Sequence, residues 1–458
     1  MAVRREAVRP ARSWSPDLLG AVAAASVVVV VALWLHGAGL RAVTDGGTAA
    51  FSSLGRLTGL VAGDLLLAQV FLMARVPWLE RAFGQDRLAR WHRCAGLTSF
   101  WLMCAHVVLI TIGYAGAGHT DVFTEAWELA VDYPGMLLAV AGTAALVAVV
   151  ALSIRRARRR LRYESWHLLH LYAYLGVGLA LPHQLWTGTD FVSSPAARAY
   201  WWSAYACCAG SVLVFRVALP LWRSHRHGLR VERVVRETAD VFSVHLAGRH
   251  LHRMPVRAGQ FFTFRFLTGT GWTRAHPFSL SAAPGAERLR ITVRSGGDDA
   301  RRIACARPGT RVLIEGPYGR LTARARTRRQ VLLLGAGIGI TPLRALLEEL
   351  PFRPGEAVLV YRASTADDFA LRAELDELAR RRGVAVHYLP GPAAARGSWL
   401  PAWLGHLSDE EALLRIAPGV RDQDVFVCGP ELWMAAVRTA LRHARVPNGQ
   451  IHYESFAW

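Results

Sequence analysis

Long apolar runs separated by short charged loops fill the chain up to about residue 222, and shorter alternating apolar and polar stretches follow. A helix that crosses a bilayer needs about 20 mostly apolar residues. Six segments meet this length, and we predict that they span a membrane: residues 18–35, 57–76, 91–113, 133–154, 164–185 and 199–222. The remainder has the strand, turn and helix pattern of a soluble protein. The pattern therefore predicts a membrane half joined to a soluble half.

The charged loops predict how the membrane half is oriented. Basic residues cluster in the N-terminal tail (1–17), in the loop after the second span and in the run Arg155–Arg162, whereas the loop 114–132 is acidic. Cytoplasmic loops carry the excess of basic residues. We therefore expect a multi-pass plasma-membrane protein with both termini in the cytoplasm.

The net charge of +20 comes with 54 basic residues, all of them arginine. A basic balance suits anionic lipid, an anionic cofactor or nucleic acid. The chain shows no nucleic-acid-binding module, so we favour lipid and cofactor and expect no nucleic-acid partner. The six cysteines have neither disulfide nor metal-site spacing.

Histidines at membrane depth are the candidate metal ligands. The third span carries His92 and His106, and the fifth carries His167, His170 and His183. Fourteen residues of helix place His92 and His106 about 21 Å apart, and only about 40° apart around the axis. Two imidazoles at two heights, opposite two on a neighbouring helix, suit two haem groups; structural hydrogen bonding within the bundle is the alternative.

The fifth span fits this arrangement less well. On an ideal helix His170 and His183 would be about 140° apart in azimuth. Pro182 gives the helix a reason to distort there and to redirect His183. His167 lies one turn before His170 and competes with it as a ligand.

Short strands with glycine and proline turns, from about residue 228, predict a small antiparallel β-barrel. Within this segment lies Arg274-Ala275-His276-Pro277-Phe278-Ser279, which resembles the flavin signature of ferredoxin-reductase-type domains, and Gly316-Pro317-Tyr318-Gly319 follows the last strand. The resemblance implies FAD, with Arg274 at the pyrophosphate, Ser279 near the flavin ring, and His276, Pro277, Phe278 and Gly316 beside it.

A strand at 331–334 runs into Gly335-Ala336-Gly337-Ile338-Gly339-Ile340-Thr341-Pro342 and then into a helix. A strand, a glycine turn and a helix direct backbone N–H groups at a phosphate. The turn resembles the GxGIGxTP form of ferredoxin-reductase nicotinamide domains. After the next strand, Arg362 and Ser364 lie where an adenosine 2′-phosphate would bind, which favours NADPH over NADH.

Two further segments resemble the same domains. Cys428-Gly429-Pro430 follows a buried strand, and the resemblance places this cysteine beside the nicotinamide; core packing is the alternative. Near the C-terminus, Trp458 or Phe456 is expected to lie against the flavin ring, with an ordinary edge strand as the alternative.

Together, the histidine spacing and the soluble motifs resemble the ferric reductase and NADPH oxidase superfamily. This resemblance implies an inner haem held by His92 and His170, an outer haem held by His106 and His183, and a cytoplasmic FAD and NAD(P)H module. The expected domains are residues 18–222 for the membrane-spanning haem domain, 226–325 for the FAD-binding barrel and 326–458 for the α/β nucleotide-binding domain.

The function expected from this arrangement is electron transfer from NAD(P)H through FAD and two b-type haems to an outer acceptor, either ferric chelate or oxygen. We expect no catalytic residue beyond the electron-transfer groups. Two alternatives remain open at this stage. One is a membrane-anchored flavin reductase that serves a partner subunit or a quinone, and the other is a redox-sensing membrane protein without haem.

Overall fold

The computed structural model describes residues 15–154, 163–268 and 274–454. The chain divides between Arg216 and Val217 into two compact units. The predicted basic tail, the run Arg155–Arg162, Phe456 and Trp458 lie outside the described residues.

The first unit is helical. Its helices are α1 (Ser15–His36), α2 (Gly39–Thr44), α3 (Gly47–Leu72), α4 (Pro77–Phe83), α5 (Gln85–Gly118), α6 (Val122–Asp132), α7 (Met136–Ser153), α8 (Tyr163–Trp186), α9 (Thr189–Val192) and α10 (Pro195–Val212). A π-helical stretch, Leu213–Ala218, follows α10 and leads into α11 (Leu219–His227). Within the unit, α3 packs along α5, and α7 packs along α8.

Five helices in the described part of the chain are long and apolar enough to cross a membrane: Leu18–His36, Gly47–Leu72, Gln85–Gly118, Met136–Ser153 and Pro195–His227. They coincide with five of the six predicted spans. The remaining prediction, the fifth span at 164–185, coincides with α8, which has 24 residues but is not among the five. Three histidines, a glutamate and a glutamine lower the mean hydropathy of α8.

The boundary of the second predicted span, 57–76, needs correction. Helix α3 begins ten residues earlier, at Gly47, and ends at Leu72. Residues 73–76 leave the helix because Arg75 has a φ of 63° and Pro77 starts a new helix. At its N-terminal end, α3 begins directly after Gly46, because the positive φ of 74° at Gly46 interrupts the helical backbone.

The second unit begins at Val217 and contains α11, and two three-stranded antiparallel sheets follow. Their strands are β1 (Arg230–Arg236), β2 (Val241–Ala247), β3 (Phe261–Phe266), β4 (His276–Ser279), β5 (Arg288–Arg294) and β6 (Val312–Tyr318), and α12 (Asp298–Ala304) follows β5. The sheet orders are β1-β2-β5 and β4-β3-β6. One apolar core with Val244, Phe264, Ile291 and Ile314 joins them. The strands agree with the antiparallel segment predicted from the sequence, while closure into a barrel remains a prediction.

A five-stranded parallel sheet forms the rest of this unit, in the order β11-β10-β7-β8-β9. Its elements are β7 (Gln330–Ala336), α13 (Ile340–Glu349), β8 (Ala357–Ala363), α14 (Arg372–Arg382), β9 (Ala385–Pro390), α15 (Asp409–Ile416), β10 (Gln423–Cys428), α16 (Glu431–His443) and β11 (Ile451–Tyr453). Apolar clusters cover both faces, so the strands are continuous apolar runs. The strand order changes direction between β7 and β10, where ligands bind in open α/β sheets.

Candidate functional site

The structure brings the membrane histidines together in two pairs. The ring centres of His92 and His170 are 6.0 Å apart, and those of His106 and His183 are 6.5 Å apart. Each pair joins α5 to α8. Because α5 is one continuous helix, the two pairs are separated by about 21 Å along it.

These distances can be compared with those needed for two imidazoles on one metal ion. A first-row metal holds an imidazole nitrogen at about 2.0 Å, and the ring centre lies about 1 Å further away, so two opposed rings on one ion have centres about 6 Å apart. Both measured separations match that value. The residues present therefore fit a bis-histidine iron site at each height.

Hydrogen bonds fix which ring nitrogen of His92 and His106 carries the proton. Nδ1 of His92 lies 3.0 Å from the carbonyl oxygen of Gln69, and Nδ1 of His106 lies 2.8 Å from that of Gly55. A carbonyl oxygen only accepts, so Nδ1 donates in both rings. The lone pair for a metal is then on Nε2, which is the arrangement usual for metal-ligating histidine.

For the two histidines on α8, hydroxyl groups accept the hydrogen bond from Nδ1. The Thr187 hydroxyl donates to the His183 carbonyl at 2.8 Å and lies 2.7 Å from His183 Nδ1. Likewise, the Ser153 hydroxyl donates to Val149 at 2.7 Å and lies 3.3 Å from Nδ1 of His170. Each hydroxyl proton is already used, so each oxygen accepts from Nδ1. These two residues escaped the sequence analysis because no spacing rule identifies them.

A glycine on α3 makes room for His106. A Cβ atom at Gly59 would lie 2.5 Å from His106 Nδ1, whereas the nearest atom to a Cβ at Gly63 is 3.8 Å away. Gly59 was not predicted as a site residue, although the series Gly55-x3-Gly59-x3-Gly63 is the small-residue pattern of closely packed membrane helices. The side chain of His167, the competing ligand, lies outside the described residues.

Trp166 adds an aromatic contact to the first histidine pair. Its ring stacks on His170 with the centres 5.0 Å apart and the planes 29° apart. The residues are four apart on α8, so they share a helix face. The stack restricts the orientation of the His170 ring.

The flavin signature forms β4 and its approach. His276, Pro277, Phe278 and Ser279 pair with β3. The hydroxyl oxygen of Ser279 is buried, and none of the described residues provides it with a hydrogen-bond partner. A buried hydroxyl without a partner is costly, so this orphaned atom fits a polar group of a bound flavin.

Arg274 lies beside the same strand and pairs with Asp299 of α12 at 2.8 Å. Nε2 of His276 is 4.0 Å from the same carboxylate. Burial opposes ionisation of Asp299, but the hydrogen bond and charge of Arg274 outweigh it and hold the pKa of this carboxyl below its usual range. Arg274 thus has an acidic neighbour in addition to the pyrophosphate that the sequence analysis expects.

Two predicted glycine turns meet at the switch point of the parallel sheet. A Cβ at Gly339 would lie 2.7 Å from the Cα of Gly429, so the turn after β7 touches the turn after β10. Gly337 has a φ of 53°, and a Cβ there would face open space. Gly335 is the residue before the last of β7, and Thr341 and Pro342 are buried in the first turn of α13. Pro430 precedes α16.

Cys428 is fully buried between these turns, and burial raises the pKa of its thiol. The neutral form is therefore the stable one, and a nucleophilic thiolate is disfavoured. This chemistry fits a small packing group beside a ligand.

A cleft of about 250 Å³ opens beside these turns. The lining includes Gly337, Arg362, Ser364 and Pro430 from the predicted nucleotide site. Asp240, which immediately precedes β2, and Arg294, the last residue of β5, complete this part of the lining. Asp240 and Arg294 form an ion pair at 2.6 Å. Their part in the cleft was not predicted, because both lie more than 40 residues before the glycine turn in the sequence.

Arg362 is 8% exposed and donates to the carbonyl of Leu389 at 3.1 Å and to that of Ala363. Burial lowers the pKa of its guanidinium. Within the described part of the chain it forms no ion pair with a carboxylate. A buried cation with only carbonyl partners favours an anionic ligand.

A buried charge cluster lies next to the flavin signature. Arg290 of β5 binds Glu374 of α14 at 2.6 Å, and Arg344 of α13 binds Glu374 at 3.0 Å. Arg290 also donates to the Ser281 carbonyl at 2.7 Å. The cluster connects the end of the flavin signature to two helices of the parallel-sheet module, and no sequence pattern indicates it.

Comparison with known proteins supports the two halves separately. Residues 58–181 match the ferric reductase like transmembrane component, and residues 333–439 match the oxidoreductase NAD-binding domain. The chain is 32% identical over 249 residues to the ferredoxin reductase component of 3-ketosteroid-9-alpha-monooxygenase from Mycolicibacterium smegmatis, covering 51% of this chain and 66% of that protein. It is 24% identical to the flavohemoprotein of Oceanobacillus iheyensis, covering 51% and 60%.

Among solved structures, the FAD/NAD-binding domain of a Vibrio cholerae nitric oxide dioxygenase is similar, with a TM-score of 0.42, 23% identity, and coverage of 50% of this chain and 99% of that domain. The chain spans two-thirds or less of the length of the two curated relatives described above. The two family matches lie in the halves that hold the histidine pairs and the glycine turns. The chain therefore joins a ferric-reductase-like transmembrane component to an oxidoreductase NAD-binding domain, the combination found in the ferric reductase and NADPH oxidase superfamily.

Proposed function

We propose that this protein is a transmembrane oxidoreductase that transfers electrons from NADPH or NADH, through FAD and two b-type haems, to an acceptor on the opposite face of the membrane. The proposal rests on the two histidine pairs, whose ring centres are 6.0 and 6.5 Å apart. They occur in a chain whose other half contains a nicotinamide-type glycine turn. Ferric chelate and oxygen are the proposed acceptors.

Each side chain has a defined task in this proposal. His92 and His170 would hold one haem, and His106 and His183 the other, each through Nε2. Ser279 and Arg274 would contact FAD, and the glycine turns would admit the nucleotide. When bound, FAD accepts a hydride and releases single electrons, and haem relays them. The chain itself binds and orients these groups, and no side chain is needed as an acid or base.

The domain limits follow the same proposal: 18–222 for the haem domain, 226–325 for the flavin barrel and 326–458 for the nucleotide domain. We propose that α8 is a sixth span, although its composition is more polar than that of the other five. Two histidines that face a cofactor account for part of this polarity, because ionisable residues in spans are commonly functional. Both termini are proposed to be cytoplasmic.

The test is electron transfer by the purified protein in sealed liposomes. With NADPH outside and ferric chelate inside, we expect reduction of the enclosed chelate, a Soret band, and two b-type haems per chain by pyridine haemochrome assay. Reduction of ferric chelate supplied outside, with no reduction of the enclosed chelate, would contradict transmembrane transfer.

A second candidate is a membrane-anchored reductase that serves a partner protein. It is favoured by the similarity to the ferredoxin reductase component of the M. smegmatis monooxygenase. In the same liposomes it predicts NADPH oxidation with a dye on the NADPH side but no reduction of the enclosed chelate. Absence of haem, in turn, would favour the redox-sensing alternative.

Arg362 is expected to select NADPH. Replacing Arg362 with glutamine should raise the KM for NADPH about tenfold, equivalent to about 1.4 kcal/mol, because a phosphate loses a charged hydrogen-bond donor. The KM for NADH should change less than twofold. Dye reduction at saturating flavin measures both constants, and Arg324→Gln, an exposed arginine outside the cleft, is the control. Equal changes for both nucleotides would show that Arg362 is not a phosphate ligand.

A further inference from the structure

Helix α6 exposes large aromatic side chains along one face. Phe123 is 88% exposed, Trp127 is 70% exposed and Val131 is 45% exposed. Residues four apart on a helix lie about 40° apart around its axis. The three side chains therefore form one outward apolar stripe.

The opposite face of α6 fixes this orientation. Glu125 and Leu129 are buried, and Glu125 accepts a hydrogen bond from the Thr120 hydroxyl at 2.9 Å. At the helix start, Asp121 accepts from the N–H groups of Phe123 and Thr124 at 2.9 and 3.1 Å. The helix thus buries a carboxylate and exposes its aromatics, which is the reverse of a surface helix in water.

The position of α6 identifies what covers the stripe. Only residues 119–121 separate it from α5, and only residues 133–135 separate it from α7, and both of these helices are long and apolar enough to cross a membrane. Tyr114 of α5 and Tyr133 lie 6.4 Å apart at this end, and each is 40% exposed. Tyrosine and tryptophan concentrate at the boundary between headgroups and acyl chains.

The charge of α6 indicates which lipid headgroups can attract the helix. The helix carries Glu125, Glu128 and Asp132 and no basic residue, so anionic lipid does not attract it. From these observations we infer that α6 lies in the plane of the membrane surface, with Phe123 and Trp127 inserted at the glycerol level of the leaflet that contains the C-terminal end of α5. The occupant is lipid, and insertion does not depend on anionic headgroups.

The experiment uses the full-length protein in phosphatidylcholine nanodiscs and in the native membrane. Two diazirine photolabels are used: one is carried by a lipid at glycerol depth, and the other is water-soluble. Labelling of the α6 peptide by each reagent is measured by mass spectrometry. Peptides from α7 and α14 provide the membrane and aqueous references. We expect the α6 ratio of lipid to aqueous labelling to lie within about threefold of that of α7, and to be unchanged when phosphatidylglycerol is added.

Variants identify the side chains responsible. Phe123→Ser with Trp127→Ser should lower the α6 ratio at least tenfold and leave that of α7 unchanged, whereas Glu128→Ser, on the same helix, should change neither. If α7 labelling changes in the double variant, the variant has misfolded and the labelling of the parent protein decides. An α6 ratio close to that of α14 in the parent would overturn the inference. So would protection from both reagents in native membranes that is lost on purification, because that result indicates a protein partner.

Discussion

Replacing His106 with alanine is expected to lower the haem content from two groups per chain to one and to end transfer to the enclosed acceptor. Dye reduction at the flavin should continue. The reason is that His106 and His183 form a separate pair, about 21 Å along α5 from His92. Without the His106 imidazole, this pair would lose one of the two nitrogen donors with which it would hold a haem iron.

The measurements are pyridine haemochrome content per flavin, low-temperature absorbance of the reduced protein and chelate reduction in liposomes. His92→Ala should remove the other haem and also stop transfer, but should leave the spectrum of the His106 site. His119→Asn provides a control on the same helix, because His119 caps α5 at a φ of 53°, which asparagine tolerates. Two haems per chain in His106→Ala would show that this residue is not a ligand.

Replacing Gly59 with alanine is expected to deplete the same haem although no proposed ligand is replaced. The new Cβ would lie 2.5 Å from His106 Nδ1 and 2.9 Å from two ring carbons. The ring cannot simply move away, because Nδ1 donates to the Gly55 carbonyl at 2.8 Å. Overpacking of this kind costs about 1–3 kcal/mol, which corresponds to a loss of about 5- to 150-fold in affinity for the group that the ring holds.

Gly63→Ala is the matched control, one turn along the same helix. Its Cβ would meet nothing nearer than Trp201 at 3.8 Å, and alanine favours helix by up to about 1 kcal/mol over glycine. Haem content and thermal stability should therefore be unchanged or slightly higher in Gly63→Ala. Equal losses in both variants would mean that the effect comes from helix packing in general and not from the histidine.

The sequence predicted the five apolar spans, most of the strands of the soluble half and both glycine turns. These features are local, because span length, alternation and turn chemistry are set by neighbouring residues. Boundaries were predicted less well. Helix α3 ends at Leu72 rather than at residue 76, since Arg75 and Pro77 break it.

Long-range contacts could not be predicted in the same way. The contribution of Asp240 and Arg294 to the cleft, and the binding of Arg290 and Arg344 to Glu374, join segments that are far apart in the chain. No periodicity encodes such contacts, because they depend on how the modules pack. Gly59 is an intermediate case, since its spacing is visible in the sequence but the ring that it accommodates is not.

The sequence by itself determined that five histidines lie in two of the predicted spans and that a nucleotide-type turn follows them. Only the tertiary structure decided how these histidines pair and which nitrogen of each ring carries the proton. On an ideal helix His170 and His183 would diverge by about 140°, yet in the structure each faces a histidine of α5 at 6.0 or 6.5 Å. The physical reason is that ring direction is set by contacts across helices, with Gln69, Gly55, Ser153 and Thr187 as hydrogen-bond partners, and not by the local spacing of residues.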